Sequence, residues 1–122
     1  MPLLASTAQA QGAWPQKPLR LLVPLAAGST ADIVSRTVGT ELARALGQPV
    51  VVDNKAGAGG TIAMAELARA APDGYTIGFA SQGTLVFNQA LYAKPGYDSA
   101  RDFSPIAFLG GVSNVMIVHP KH

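Results

Sequence analysis

Residues 46–61 read LGQPVVVDNKAGAGGT, and the order of signals in that stretch decides the fold. Gly47 stops a preceding helix and Pro49 keeps it from resuming. Three β-branched valines then lead into Asp53, as a short strand would. Residues 54–60 (NKAGAGG) form a glycine-rich turn, and Thr61 opens a new helical pattern. Helix stop, strand, glycine turn and helix start are the joints of an α/β chain.

Working outward toward the N-terminus, residues 19–24 (LRLLVP) are an apolar run bounded by prolines, suited to a buried strand. A turn at residues 26–29 follows, and Ser29 or Thr30 can cap a helix that runs to about Leu46. Val34, Val38, Leu42, Ala45 and Leu46 follow helical spacing, with Asp32 in the first turn and Arg44 in the last. On the C-terminal side, residues 61–71 are expected as a helix with Ile62, Ala65, Leu67 and Ala68 facing inward. Pro72-Asp73-Gly74 is a turn. Residues 75–80 (YTIGFA) read as a third strand, residues 81–84 as another polar turn and residues 85–91 as a short helix. Residues 92–101 read as an exposed loop, and residues 106–109 and 115–118 are two final apolar runs. The order β-α-β-α-β-α predicts an α/β fold with a parallel sheet and right-handed crossovers.

The composition narrows the function classes. The 122 residues are the size of one domain. Hydrophobic residues make up 48% and charged residues 13%, which argues against disorder. Net charge is +2 with the basic residues scattered, so nucleic acid is not an expected partner. There is no cysteine, which excludes disulfides, thiolate metal sites and cysteine nucleophiles. No apolar run reaches the roughly 18–20 residues of a membrane span. Residues 1–11 (MPLLASTAQAQ) contain Ala8-Gln9-Ala10, an A-x-A cleavage signal, but no basic start and only a reduced apolar segment. A clipped signal peptide and a disordered tail both fit that segment taken alone.

The chemistry falls on three turns that leave the carboxyl ends of the expected strands, where open parallel sheets bind ligands. They are Ala27-Gly28-Ser29-Thr30, Gly57-Ala58-Gly59-Gly60-Thr61 and Ser81-Gln82-Gly83-Thr84. Each combines glycine with hydroxyl residues and opens onto a helix N-terminus, whose free N–H groups attract anions. Ser29, Thr30, Thr61, Ser81 and Thr84 are candidate hydroxyl donors. Ordinary capping is the better explanation of any one such turn; three at one sheet edge shift the reading toward a site for a small anion. Phosphate motifs fit badly. No Walker A string exists, and Gly57-Ala58-Gly59-Gly60-Thr61-Ile62 lacks the last glycine of a dinucleotide fingerprint and follows the second strand rather than the first. No nucleophile elbow surrounds Ser81. His119 and His122 sit at the chain end, and Asp32 and Glu41 face different ways on a helix. No catalytic residue, metal cluster or cofactor is therefore expected.

Several stretches together resemble one family, the solute receptors of tripartite tricarboxylate transporters (Bug-type extracytoplasmic binding proteins). Trp14-Pro15-Gln16-Lys17-Pro18-Leu19-Arg20 with Val23-Pro24 resembles the mature start of its members. Gly28-Ser29-Thr30-Ala31-Asp32 resembles its G-G-x-x-D turn. Residues 46–60 are similar to its L-G-Q-P-V-V-V-E-N-R-P-G-A-G-G, and Ala71-Pro72-Asp73-Gly74-Tyr75-Thr76 matches its A-P-D-G-Y-T. Leu91-Tyr92 matches its L-Y. Tyr97-Asp98, with Arg101-Asp102-Phe103-Ser104-Pro105-Ile106 after it, matches its Y-D and D-F-x-P-[IV]. The resemblance covers about residues 14–120. The departures are Ala27-Gly28 in place of a double glycine, Ser29 beside it, Asp53 and Lys55 for Glu and Arg, and Ala56 for proline.

The resemblance implies a parallel-sheet lobe of a type II periplasmic binding protein that takes a small carboxylate solute. It implies ligand-binding roles for Gly28, Ser29, Thr30 and Asp32 in the first turn, for Ala58, Gly59 and Gly60 in the second, and for Ser81, Gly83 and Thr84 in the third. Ser29 is expected to bring its side chain toward the ligand. It also implies a periplasmic location, membrane transporter subunits as partners and, for a complete receptor, a monomer. It favours the clipped signal peptide, making residues 1–13 a leader remnant and residues 14–122 the N-terminal part of the first lobe. Because family members are more than twice as long, a truncated first lobe without the second lobe is expected, binding solute weakly or not at all by itself. The alternatives are a nucleotide-binding α/β enzyme fragment and a non-functional truncated product.

Overall fold

The computed structural model describes residues 12–121. The leader reading of residues 1–11 and the terminal His122 lie outside them. Strand β1 is Leu19–Val23, helix α1 Thr30–Leu46, strand β2 Val50–Asn54, helix α2 Thr61–Arg69, strand β3 Thr76–Gly78 and helix α3 Asn88–Leu91. A short 3-10 turn, Ala58–Gly60, precedes α2, and a π-helical turn, Gly83–Phe87, precedes α3. The expected β-α-β-α-β-α order is the observed one.

The sheet is parallel with order β2-β1-β3. Leu19 pairs with Val50 and Val23 with Asn54 on one side of β1, and Arg20 pairs with Thr76 on the other. The step from β1 to β2 and the step from β2 to β3 run in opposite directions across the sheet. Crossovers of one hand must then put α1 and α2 on opposite faces. The strand alternation shows that they are there. Leu21 and Val23 pack with Ala31 of α1, together with Val50, Val52, Ile77 and Phe79. Arg20 points the other way and meets Glu66 of α2 at 2.6 Å. Arg20 is also paired with Asp53 of β2, and Lys55 approaches Glu66 at 3.6 Å, so four charges knit α2 to the sheet.

Both predicted ends of α1 are built as the residues suggested. Ser29 is the N-cap, its Oγ accepting from the Asp32 N–H, and Gly47 closes the helix with a φ of 70°. Gly39 sits over β2, where a Cβ would lie 3.4 Å from Val50 Cγ1. That glycine lets the helix lie close to the strand.

Several expectations need correction. Ile62 does not face inward: it is 51% exposed, while Ala63, Met64 and Ala65 are buried. Helical spacing gave the correct face within one residue, but the sheet selects the 63–65 side. The third strand spans only Thr76–Gly78, although Tyr75 O and Phe79 N on either side of it still bond to Arg20 N and Leu22 O of β1. Residues 92–101 are not simply an exposed loop. Tyr97 is 7% exposed and packs with Met64, Ala65 and Phe103, its ring centroid 5.7 Å from that of Phe103. The short helix expected at residues 85–91 starts earlier, as the π-helical turn from Gly83. The apolar runs at 106–109 and 115–118 carry no helix or strand, and Phe108 and Met116 are almost fully exposed. Trp14 packs on Tyr75 at 6.0 Å between ring centroids, anchoring the segment before β1.

Candidate functional site

All three glycine turns lie at the carboxyl end of the sheet, one after each strand. Their hydroxyl groups are largely committed to shaping the turns. Ser29 Oγ accepts from Asp32 N, and Thr61 Oγ1 donates to Ala58 O at 2.9 Å. In the third turn, Ser81 N donates to Thr84 Oγ1, Thr84 N to Ser81 Oγ, and Thr84 Oγ1 to Ser81 O. This reciprocal capping closes the turn on itself. Ser29 is therefore turned back as a cap rather than reaching outward, because the N3 amide of its own helix is its nearest donor.

The backbone amides are left over. Ser29 N and Ile33 N donate to Ala26 O and Ser29 O, but Thr30 N and Ala31 N engage no acceptor among the described residues. The same holds for Ala58 N and Gly59 N in the second turn and for Gln82 N and Gly83 N in the third. Such first-turn amides need partners from outside the helix and carry its positive end.

The second and third turns share one cavity of about 310 Å³, lined by Pro24, Leu25, Ala56, Gly57, Gly59, Gly60, Ser81, Gly83 and Thr84. No charged side chain lines it. Gly60 is what lets the turns meet. At φ 88° it adopts a conformation that glycine favours, and a Cβ there would stand 2.8 Å from Thr84 Cγ2 and 2.9 Å from Pro24 Cβ. Ala58 holds a φ of 46°, the one positive value for a non-glycine among the described residues. Strain of this kind persists only where the surroundings over-determine it. The first turn is brought to the same sheet end, but Gly28, Ser29, Thr30 and Asp32 do not line this cavity; Pro24 and Leu25, just before them, do.

Asp32 is placed beneath its turn. It is 4% exposed, and its carboxylate accepts from Gly28 N at 2.9 Å, Arg36 Nε at 3.1 Å and Asn54 Nδ2 at 3.0 Å. The Arg36 guanidinium and the Gly28 amide lower its pKa to about 2. Asn54 also donates to Leu25 O at 3.0 Å and accepts from Arg36 Nη2 at 3.2 Å. Asp32, Arg36 and Asn54 thus clamp the first turn to the end of β2. Asp32 and the Gly28 amide are consumed in that clamp.

Two residues outside the expected site hold the other turns. Asn88 is 4% exposed and donates from Nδ2 to Gly59 O at 2.9 Å and to Tyr97 Oη at 3.2 Å. The Tyr97 hydroxyl donates to Thr84 O. Nothing local in the sequence signals this, since Gly59 and Asn88 are 29 residues apart. Asn54 had a weaker signal, as a polar residue ending a strand just before a glycine turn. The described residues contain no cluster of side chains suited to a metal ion and no helix long and apolar enough to cross a membrane.

Comparison with known proteins agrees with this fold. The sequence profile of the Tripartite tricarboxylate transporter family receptor matches residues 34–122. A UPF0065 protein of Bordetella bronchiseptica is 43% identical over 105 residues, covering 86% of this chain and 31% of the relative. The structure of the periplasmic binding protein BugD is similar with a TM-score of 0.73 at 43% identity, over 76% of this chain and 31% of that one. MatC from Rhodopseudomonas palustris, solved with bound malate, gives a TM-score of 0.75 at 41% identity, over 79% and 33% of the two chains. The chain thus spans about a third of the length of the proteins it matches. With the parallel sheet, the three glycine turns and a profile match over most of its residues, this chain belongs to the tripartite tricarboxylate transporter receptor family.

Proposed function

We propose that the chain supplies one wall of a periplasmic solute receptor's site, taking the carboxylate of a small organic acid without transforming it. The observation that carries this reading is the uncharged cavity of about 310 Å³ lined by the second and third turns, among them Gly59 and Gly83, whose amides engage no acceptor among the described residues. Amide N–H groups fixed by the fold stabilise an anion at no cost of reorganisation. With no carboxylate or guanidinium in the lining, a small acid is met by dipoles alone, which suits capture and release. Gly59, Gly60, Ser81, Gly83 and Thr84 form this wall, with Ala58 next to Gly59, and the Thr30 and Ala31 amides stand free at the same end of the sheet. Gly28, Ser29 and Asp32 act by shaping the first turn. The malate held by MatC supports an acid of this size as the solute, and the family supports transporter subunits as partners.

Titrating the isotope-labelled chain with malate, ATP and NAD, and following its amide resonances, tests the reading. Malate is expected to shift the Ala58, Gly59, Gln82 and Gly83 amides, with saturation in the roughly millimolar range expected of a half-enclosed site. Shifts of those amides by ATP or NAD with none from malate would instead favour nucleotide binding.

A further inference from the structure

Asn88 and Tyr97 touch no part of the cavity lining except through the backbone, yet both turns that form the cavity end on them. Asn88 Nδ2 holds Gly59 O at 2.9 Å and Tyr97 Oη at 3.2 Å, and the Tyr97 hydroxyl holds Thr84 O. The chain of contacts runs Gly59 carbonyl, Asn88 amide, Tyr97 hydroxyl, Thr84 carbonyl; its Asn88–Tyr97–Thr84 part is buried and its Gly59 end is part-buried. Asn88 and Tyr97 are 4% and 7% exposed. Each tether is made on a carbonyl whose peptide partner N–H, Gly60 N or Leu85 N, is itself bonded within its turn to Gly57 O or Ser81 O, so the tethers fix the frame of the turns and use none of the unpaired Ala58, Gly59, Gln82 and Gly83 amides.

We infer that Asn88 and Tyr97 are positioning residues that hold the second and third turns at one separation, so that their amides act on an anion as a single set. This rests on the carboxylate reading of the cavity. Two observations give the brace its function beyond filling space. Ala58 keeps a φ of 46°, a conformation that a residue with a Cβ leaves unless its neighbour is held, and the neighbour Gly59 is held by Asn88. Tyr97 is anchored independently, by its ring against Phe103, Met64 and Ala65, so its hydroxyl is a fixed point rather than a free rotor. The brace ties the loop turns to the α2 face of the core.

The test compares Tyr97→Phe and Asn88→Asp in the full chain. Tyr97→Phe keeps the ring and its packing and removes only the hydroxyl. Loss of one buried hydrogen bond that acts on geometry is worth about five-fold in malate affinity. Asn88→Asp replaces the donor with an acceptor facing Gly59 O, and a loss of at least about ten-fold is expected. In ligand-free protein, Tyr97→Phe should shift the Gly59 and Gly60 amide resonances, although Tyr97 makes no contact with either, and the melting temperature should stay within a few degrees. Combining Tyr97→Phe with Asn88→Ala should weaken binding no more than Asn88→Ala does alone, since both cut one chain. The inference is overturned if Tyr97→Phe leaves the Gly59 and Gly60 amides unmoved, or if the two changes are additive. Those ligand-free resonances keep its fate separate from that of the carboxylate reading, which fails if malate moves no amide of the parent chain.

Discussion

The first turn and the pair formed by the second and third turns solve the same problem with different chemistry. Each must hold a glycine loop open with its amides unpaired. The first turn is held by charge: Asp32 takes Gly28, Arg36 and Asn54 as donors, and Arg36 is bonded in turn to Asn54. The other two are held by neutral groups, the Asn88 amide and the Tyr97 hydroxyl. The difference follows from position. Arg36 is more than half exposed at the sheet edge, so water shares the cost of the charges around Asp32. Asp32 is as buried as Asn88, but its charge is paired with Arg36; Asn88 and Tyr97 are bonded to neutral groups, where an ionised side chain would give up its hydration without a counter-charge. One half of the site should therefore respond to acid, and the other should not.

The largest effect is expected where the neutral pair is tightest. Gly60→Ala adds a Cβ at 2.8 Å from Thr84 Cγ2 in a left-handed backbone, at a combined cost of about 3 kcal/mol. A denaturant midpoint would register it, and hydrogen exchange should localise the loosening to the second and third turns while the first stays protected. Equal loosening of all three turns would mean that the two supports are not separate.

Next comes Asn88→Ala, which leaves Gly59 O and Tyr97 Oη without their donor. A loss of about 2 kcal/mol is expected, and it should be the same at pH 7 and pH 4. The third prediction concerns acid. The Asp32 pKa is about 2 when folded against an ordinary value of 3.8. A depressed carboxylate contributes its stability in full above its unfolded value and loses it as pH falls toward the folded one. Stability should thus drop between about pH 4 and pH 2, and Asp32→Asn should flatten that part of the acid limb while Asn88→Ala leaves its shape alone. Thermal melts across that range check both. The smallest effect belongs to a pair outside both supports. Arg44 and Glu41 are 78% and 63% exposed at 2.7 Å, and Arg44→Ala should change stability by less than about 0.5 kcal/mol. A larger change would show that charge at any position matters here, and the contrast between the two supports would lose its meaning.

Local chemistry is legible in the order of the residues alone. The Ser29 cap, the Gly47 stop, the valine strand at 50–52 and the glycine turns each depend on neighbours a few positions away. Backbone conformation is decided at that range, which is why these features can be read from the chain. The order of βα units follows from the same signals. So do the candidate amides at Ala58, Gly59 and Gly83, since a glycine turn entering a helix leaves its first N–H groups unpaired by geometry alone.

Assembly of the sheet settles what those local pieces do together. It places β1 between β2 and β3, yet the second and third turns meet past the end of β1, at Gly60 and Thr84, and share a cavity that the first turn does not line. It turns Asp32 from a residue expected at the ligand into the anchor of its own loop, and Ser29 from an outward donor into a cap. It buries Tyr97 from a segment rich in turn residues, because Met64, Ala65 and Phe103 offer an apolar seat that no nearby sequence position announces. Periodicity and spacing report only neighbours along the chain. Asn88 meets Gly59 across 29 residues and Tyr97 meets Thr84 across 13, and contacts of that range exist only once the strands have come together.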